Sequence, residues 1–209
     1  MAFLLVQTNE NLLWVYPLKT LTVAAALWFF RRDYEELRLN FSLIAVVIGL
    51  VAIAIWIAID PLYPKVDVLM VSFERALSQI MHSPPPKGGP AASFDPSGHW
   101  VFIGFRVVGA VVVVPVMEEL FWRAFLIRWL VDEDFKRVPV GKWTWPSFAI
   151  TVALFGAEHN QWLAGLICGA MYNWLLYKRK DVFSCTIAHA VSNAALAAWV
   201  LARGDWKFW

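Results

Sequence analysis

Long apolar segments constrain the fold of this chain more than any other feature. A transmembrane helix needs about 20 predominantly apolar residues, and six segments reach or approach that length. Hydrophobic residues are 60% of the 209 and charged residues only 16%, a balance that is unusual for a water-soluble domain. The segments are residues 11–30, 40–59, 98–130, 144–159, 161–177 and 182–202. The sequence therefore predicts an all-α polytopic transmembrane helical bundle of about six spans.

Two of these segments have irregular features. The third is too long for one perpendicular crossing and contains Pro115, which lacks a backbone N–H and clashes with the preceding turn, so we expect a kinked, tilted span. The fourth and fifth are short, and only the polar turn around His159, Asn160 and Gln161 separates them. We expect this turn to lie below the membrane surface, in a cavity lined by protein or water.

The short loops predict an orientation, because Lys and Arg are enriched in cytoplasmic loops. No basic residue precedes Asn11, and without a basic leader we interpret the first segment as a retained span and not a cleaved signal. The basic loop residues are Arg31, Arg32, Arg38, Lys136, Arg137, Lys142, Lys178, Arg179 and Lys180. The sequence therefore predicts that these loops are cytoplasmic and that both termini are non-cytoplasmic.

The loops also divide the chain into three parts. Residues 1–60 are predicted to form an amino-terminal transmembrane helix pair, and residues 98–209 a four-span core. Residues 61–97 are interpreted as a non-cytoplasmic loop that contains Pro and Gly. Residues 84–90 read PPPKGGP, a run that cannot be helical and that predicts a flexible connector.

Charged residues lie in the middle of the third segment. Each buried charge costs at least a few kcal/mol unless it is paired. Glu119 and Arg123 are four residues apart and share one helical face, so we expect them to form an ion pair. Glu118 points about 100° away and has no local counter-charge. Glu118 is therefore the candidate general base for activating a water molecule.

Further polar residues lie at similar depths in later segments. His159 ends the fourth segment, and His189 and Asn193 form an i, i+4 pair in the last. Counted at about 1.5 Å per residue from the cytoplasmic ends, Glu118 and these three residues lie between about 11 and 22 Å deep. We therefore expect the four to converge. A base, a histidine that orients water and two donors for an oxyanion are what peptide hydrolysis requires.

The polar residues form three motifs along the chain, Glu118-Glu119-x-x-x-Arg123, Phe155-x-x-x-His159 and His189-x-x-x-Asn193. Three motifs in this order resemble the CAAX protease and bacteriocin-processing superfamily, the intramembrane glutamate proteases that include the Ras-converting enzyme. The resemblance covers approximately residues 107–198.

The resemblance implies an endopeptidase that needs no metal or other cofactor. In it, Glu118 and His159 activate the water and His189 and Asn193 form the oxyanion site, while the Glu119 and Arg123 pair has a supporting role. The bacterial members imply a location in the bacterial inner membrane and a membrane-associated peptide or protein as substrate. The chain has fewer predicted spans than the eukaryotic members, so a prenylated substrate is not implied. The net charge of +2 gives no reason to expect a nucleic-acid partner.

Three alternatives stay open from the sequence. Glu118, His159 and His189 have the atom types of a zinc site, although no His-Glu-x-x-His run is present. Cys185 lies four residues before His189 and is a candidate thiolate nucleophile. The third alternative is a membrane scaffold or immunity protein that binds a peptide in the same cavity without cleaving it.

Other residues have structural interpretations. Phe155 is expected to pack in the core, and Gly165 and Gly169 have the small-xxx-small spacing that allows close helix approach. Glu158 adjoins His159 but points elsewhere on the helix, and no role is assigned to it.

Overall fold

The computed structural model describes residues 11–84 and 94–208. Within those ranges the chain is helical and forms no strand, which confirms the predicted all-α class. Short 3₁₀ turns lie at Asp60–Leu62, Phe135–Arg137 and Trp206–Phe208. The helices are α1 (Leu12–Phe29), α2 (Leu43–Ile59), α3 (Val66–Ile80), α4 (Trp100–Trp129), α5 (Trp145–Ala157), α6 (Trp162–Arg179) and α7 (Val182–Arg203).

These helices make the chain an integral membrane protein. Within the described residues, four helical stretches are long and apolar enough to cross a membrane: α1, α4, α7 and the stretch Leu43–Ile80, which contains α2 and α3. Helix α5 is apolar but has only 13 residues. Apart from α3, each helix coincides with a predicted apolar segment to within a few residues.

Helix α4 is irregular around Pro115, as the sequence predicts. It contains two π-helical stretches, Gly109–Val113 and Leu120–Leu126. The N–H of Val114 bonds to the carbonyl of Gly109, five residues back. In the same pattern the next bond would run from the N–H of residue 115 to the carbonyl of Ala110. Residue 115 is proline, which has no N–H to donate. The Ala110 carbonyl is therefore left for another partner.

Glycines allow the helices of the core to approach closely. A Cβ at Gly165 would lie 3.0 Å from the Cα of Gly156, and a Cβ at Gly169 would lie 3.2 Å from the ring of Phe155. The predicted close approach at Gly165 and Gly169 is therefore present, between α6 and α5. The hydroxyl of Ser192 in α7 donates to the carbonyl of Gly49 in α2, at 2.9 Å.

Ion pairs define the two ends of the bundle. Arg128, at the end of α4, pairs with Glu36 in the α1–α2 loop at 2.6 Å and donates to the carbonyl of Val138 at 2.8 Å. We call this the Arg128 end. At the opposite end of α2, Asp60 pairs with Lys207, which follows α7, at 3.0 Å. We call this the Asp60 end.

The segment interpreted from the sequence as a long loop contains helix α3. Its apolar residues recur at helical spacing, but the interpretation as a loop rested on the surrounding Pro and Gly. The connector predicted at residues 84–90 falls almost wholly outside the described residues, and it stays a prediction.

Candidate active site

Glu119 and Arg123 form the predicted ion pair inside the bundle. The Arg123 Nη1 lies 3.1 Å from the Glu119 Oε1, and the side chains are 1% and 0% exposed. Arg123 also donates from Nε to Asn173 Oδ1 at 3.2 Å and from Nη2 to the carbonyl of Gly169 at 3.3 Å. The guanidinium is therefore held by three acceptors, as a buried arginine requires.

His189 extends this pair into a network. Its Nδ1 lies 2.9 Å from the same Oε1 of Glu119. A carboxylate only accepts hydrogen bonds, so Nδ1 carries the proton and donates it. The ring stacks on that of Tyr172, with centroids 5.4 Å apart and an interplanar angle of 28°. These contacts fix the ring orientation and leave Nε2 as the nitrogen available to a substrate.

The network ends on α5. Asn173 donates from Nδ2 to the hydroxyl of Thr151 at 2.8 Å, and that hydroxyl donates to the carbonyl of Ser147 at 2.6 Å. We call the connected side chains Thr151, Asn173, Arg123, Glu119 and His189 the Glu119 network. It links α4, α5, α6 and α7, so the position of His189 depends on all four helices.

His159 lies in the polar turn after α5. Its Nδ1 is 2.6 Å from the carbonyl of Phe155, which can only accept, so Nδ1 carries the proton and Nε2 has a lone pair. Phe155 is 2% exposed and packs in the core, as predicted. A Cβ at Gly165 would lie 3.3 Å from the Nδ1 of His159, so glycine leaves the space that this ring occupies.

Asn193 donates from Nδ2 to the carbonyl of Ala110 at 2.7 Å. This is the carbonyl that Pro115 leaves without an N–H donor. The second N–H of the Asn193 amide remains available to a ligand. Asn193 therefore both stabilises the irregular turn of α4 and presents a donor.

Three of the four predicted catalytic residues meet in one cavity. His159, His189 and Asn193 line a space of about 180 Å³, enough for several water molecules at roughly 30 Å³ each. A neighbouring space of about 290 Å³ shares His159 and Asn193 and adds Arg106 and Tyr16 to its walls. The two spaces together extend the cavity along α4 and α7.

Glu118 does not line either space. It lies within electrostatic range of His189 and Arg123 and of Glu158. Among the described residues its Oε2 is buried and has no hydrogen-bond partner. The predicted convergence thus holds for His159, His189 and Asn193, whereas Glu118 lies beside the cavity.

Residues 100–195 match a family model described as type II CAAX prenyl endopeptidase Rce1-like. The matched residues run from the start of α4 into α7 and include both glutamates, both histidines and Asn193. This segment is similar to a CAAX protease domain. No curated protein and no solved structure matches the chain. The family confirms the predicted resemblance and indicates a CAAX-type intramembrane protease in general terms.

The structure of this segment does not favour the thiol alternative. Cys185 is fully buried, and its Sγ lies 3.4 Å from the carbonyl of Tyr172. The Nδ1 of His189 points to Glu119 and not to this sulfur. No group of three possible ligands suited to a metal ion occurs among the residues that the structure describes, so the zinc alternative has no ligand set there.

Two features of the matched segment were not predicted from the sequence. Asn173 accepts from Arg123 and is itself held by Thr151, and neither Asn173 nor Thr151 was predicted to belong to the site. Asn173 could have been predicted, because a polar residue in the apolar run of α6 needs a partner, as Glu118 does in α4. The contact of His189 with Glu119 joins residues 70 positions apart and has no local signal.

Proposed function

We propose that this chain is an intramembrane glutamate endopeptidase that hydrolyses a peptide bond of a membrane-associated peptide or protein, without a metal ion. The observation that carries the proposal is the shared cavity, in which His159, His189 and Asn193 present nitrogen atoms of defined role. The family assignment supports the reaction class.

In this proposal Glu118 and His159 activate the attacking water. The Nε2 of His159 accepts one hydrogen bond from the water, because Nδ1 already donates to Phe155. The Glu118 carboxylate takes the other proton as oxygen attacks the peptide carbonyl. Glu118 then passes this proton to the leaving amine when the carbon–nitrogen bond breaks, which restores the carboxylate.

Glu118 must face the cavity for this step. Its Oε2 has no partner among the described residues that such a movement would break. Hydrogen bonds of catalytic groups commonly tighten only when substrate is bound. We therefore propose that Glu118 changes rotamer when a substrate peptide enters the cavity.

His189 and Asn193 are proposed to stabilise the oxyanion. Asn193 donates its second amide N–H. His189 donates from Nε2 when the ring carries two protons, and the Glu119 carboxylate stabilises that cation through Nδ1. Hydrogen-bond donors aimed at developing charge in a site with little water account for a large part of catalysis in acyl transfer.

We also propose a location for the reaction. The basic loops lie at the Arg128 end of the bundle, and the positive-inside rule assigns that end to the cytoplasm. The Asp60 end, the polar turn with His159 and both termini then lie on the other side of what we take to be a bacterial inner membrane. The substrate would reach the cavity from the bilayer or from that outer side.

The experiment is a comparison of membrane peptides by mass spectrometry in cells that carry the wild type, Glu118→Gln or His159→Ala. An uncleaved precursor should accumulate in both variants, and its cleaved product should be lost. Glu133→Gln is the matched control, because Glu133 is exposed in the loop after α4 and should behave as the wild type. Cleavage retained in Glu118→Gln or His159→Ala would overturn the mechanism.

The same membrane peptides distinguish the glutamate protease from the peptide-binding and zinc alternatives. A protein that only binds peptide would produce no cleaved product even as the wild type. A zinc enzyme would lose cleavage in chelator and regain it with added zinc. The glutamate mechanism predicts unchanged cleavage in chelator.

A further inference from the structure

Helix α3 has one apolar face. Val66–Ile80 has 15 residues, and Leu69, Met70, Phe73, Leu77 and Ile80 recur at the spacing of a single helical stripe. Its charged residues Asp67, Glu74 and Arg75 lie outside this stripe. The helix is therefore amphipathic, unlike α1 and α2.

The described residues leave this apolar face uncovered. The only buried residue in α3 is Ser78. Phe73 is 63% exposed and Ile80 is 77% exposed. An exposed apolar stripe of this kind marks an interaction surface.

The topology shows that α3 does not cross the membrane. The Arg128–Glu36 pair places the start of α2 and the end of α4 at the same end of the bundle. The end of α2 and the start of α4 therefore both lie at the Asp60 end. The chain leaves and returns on one side, and 15 residues span only about 22 Å, short of the roughly 30 Å core.

The start of α3 is fixed at that end. Tyr63 is extended between the two helices, with φ −149° and ψ 153°, so the chain changes direction there. The N–H of Val66 bonds to the carbonyl of Asn160 at 3.1 Å, and the N–H of Asp67 bonds to Asn160 Oδ1 at 3.0 Å. Trp162 Nε1 donates to the carbonyl of Pro64 at 3.0 Å. Helix α3 is thus attached to the turn that carries His159.

We propose that α3 lies in the plane of the membrane surface at the Asp60 end, with its apolar face in the boundary between headgroups and acyl chains. Helices with a strong apolar face and a polar opposite face bind membranes in this way. The membrane is the occupant because α2 leaves the bilayer a few residues before α3 begins. The helix carries two acids and one base, so apolar contact and not attraction to anionic lipid holds it. The attachment to Asn160 then sets the depth of the site turn.

The inference is tested with spin labels on single introduced cysteines, in the full chain reconstituted into phosphatidylcholine vesicles. Phe73→Cys places the label on the apolar face and Arg75→Cys, at an exposed position on the opposite side of the helix, places it on the polar face. The native Cys168 and Cys185 are 4% and 0% exposed, so the label reacts with the introduced cysteine. The measurement is the accessibility of each label to oxygen, which concentrates in lipid, and to a water-soluble nickel chelate.

The label at residue 73 should be accessible to oxygen and shielded from nickel, and the label at residue 75 should show the reverse. Equal access of both labels to nickel would place α3 in water and overturn the inference. Oxygen access at both positions without nickel access would mean that α3 is immersed in the bilayer, which also overturns it. Shielding of residue 73 from both reagents, with spin coupling between copies, would assign the face to a second chain instead. None of these outcomes depends on the proposed protease activity.

Discussion

The Glu119 network and the cavity next to it are both polar regions inside the bundle, but they differ in how fully their polar groups are bonded. Arg123 has three acceptors, and one oxygen of Glu119 accepts from both Arg123 and His189. Around the cavity, His159, His189 and Asn193 each use one nitrogen or N–H for the protein and keep another for a ligand. The first arrangement fixes positions and the second leaves groups available to react. His189 belongs to both.

The adjacent glutamates show this difference most clearly. Glu119 is fully buried and its Oε1 accepts from both Arg123 and His189, whereas Glu118 is partly exposed and has neither contact. The Oε2 of each glutamate has no hydrogen-bond partner among the described residues. Substitutions in the network should therefore affect stability first, and substitutions at the cavity should affect turnover first. The following substitutions test that distinction.

Arg123→Met should have the largest effect. It leaves Glu119 buried with only His189 as partner and should cost about 3–5 kcal/mol of the free energy of unfolding. Unfolding in a denaturing detergent titration measures the loss. Arg137→Met is the matched control, since Arg137 is 83% exposed in its pair with Asp134 and should change stability by less than about 1 kcal/mol. Equal losses of the free energy of unfolding in the two variants would show that the buried network is no more important to stability than an exposed ion pair.

Asn193→Ala should affect turnover and stability together. Removing one oxyanion donor should lower turnover by roughly 10²–10³-fold, and the Ala110 carbonyl loses its partner at a cost of about 1–3 kcal/mol. Turnover and unfolding are measured on the same preparation, with Asn40→Ala in an exposed loop as control. A loss of stability without loss of turnover would reduce Asn193 to a structural residue.

Asn173→Ala tests the network away from the cavity. It removes an acceptor from Arg123 and the donor to Thr151, and should lower the free energy of unfolding by about 1–3 kcal/mol. Turnover at temperatures where the variant is folded should fall less than in Asn193→Ala. A greater loss of turnover in Asn173→Ala would show that the network acts in catalysis.

Lys207→Met should have the smallest effect, at most about 1 kcal/mol, because Lys207 is at the exposed rim of the bundle. The hydrogen bond to Asp60 raises the pKa of Lys207 above its usual 10.5. A raised pKa means that the stabilisation is present below the unfolded pKa and is lost as pH rises through the folded one. The stability difference between wild type and Lys207→Met should therefore shrink at strongly alkaline pH. A difference that grows there would contradict this pairing.

Local features of the sequence predict much of this structure. The lengths of the apolar segments predict α1, α2, α4, α5, α6 and α7, and helical spacing predicts the pair of Glu119 with Arg123. Pro115 predicts an irregular α4, although not that its missing N–H would leave a carbonyl for Asn193. These features depend on residues that are close in the sequence.

The remaining features depend on contacts between distant residues. The bond from His189 to Glu119 and the attachment of α3 to Asn160 require the helices to be assembled. The depth of each residue in its segment predicted that Glu118 would join the cavity, but depth does not specify the direction of a side chain around its helix. Helix α3 could have been predicted, because its apolar stripe is visible in the sequence.

The most direct test of the separation between the two glutamates is the turnover of Glu118→Gln in proteoliposomes, on the precursor peptide that accumulates in cells carrying this variant. The replacement keeps the shape of the side chain and removes the base. Turnover should fall by roughly 10²–10⁴-fold, the usual contribution of a general base, with unfolding unchanged from the wild type. Turnover equal to that of the wild type in a folded Glu118→Gln protein would show that Glu118 is not the general base.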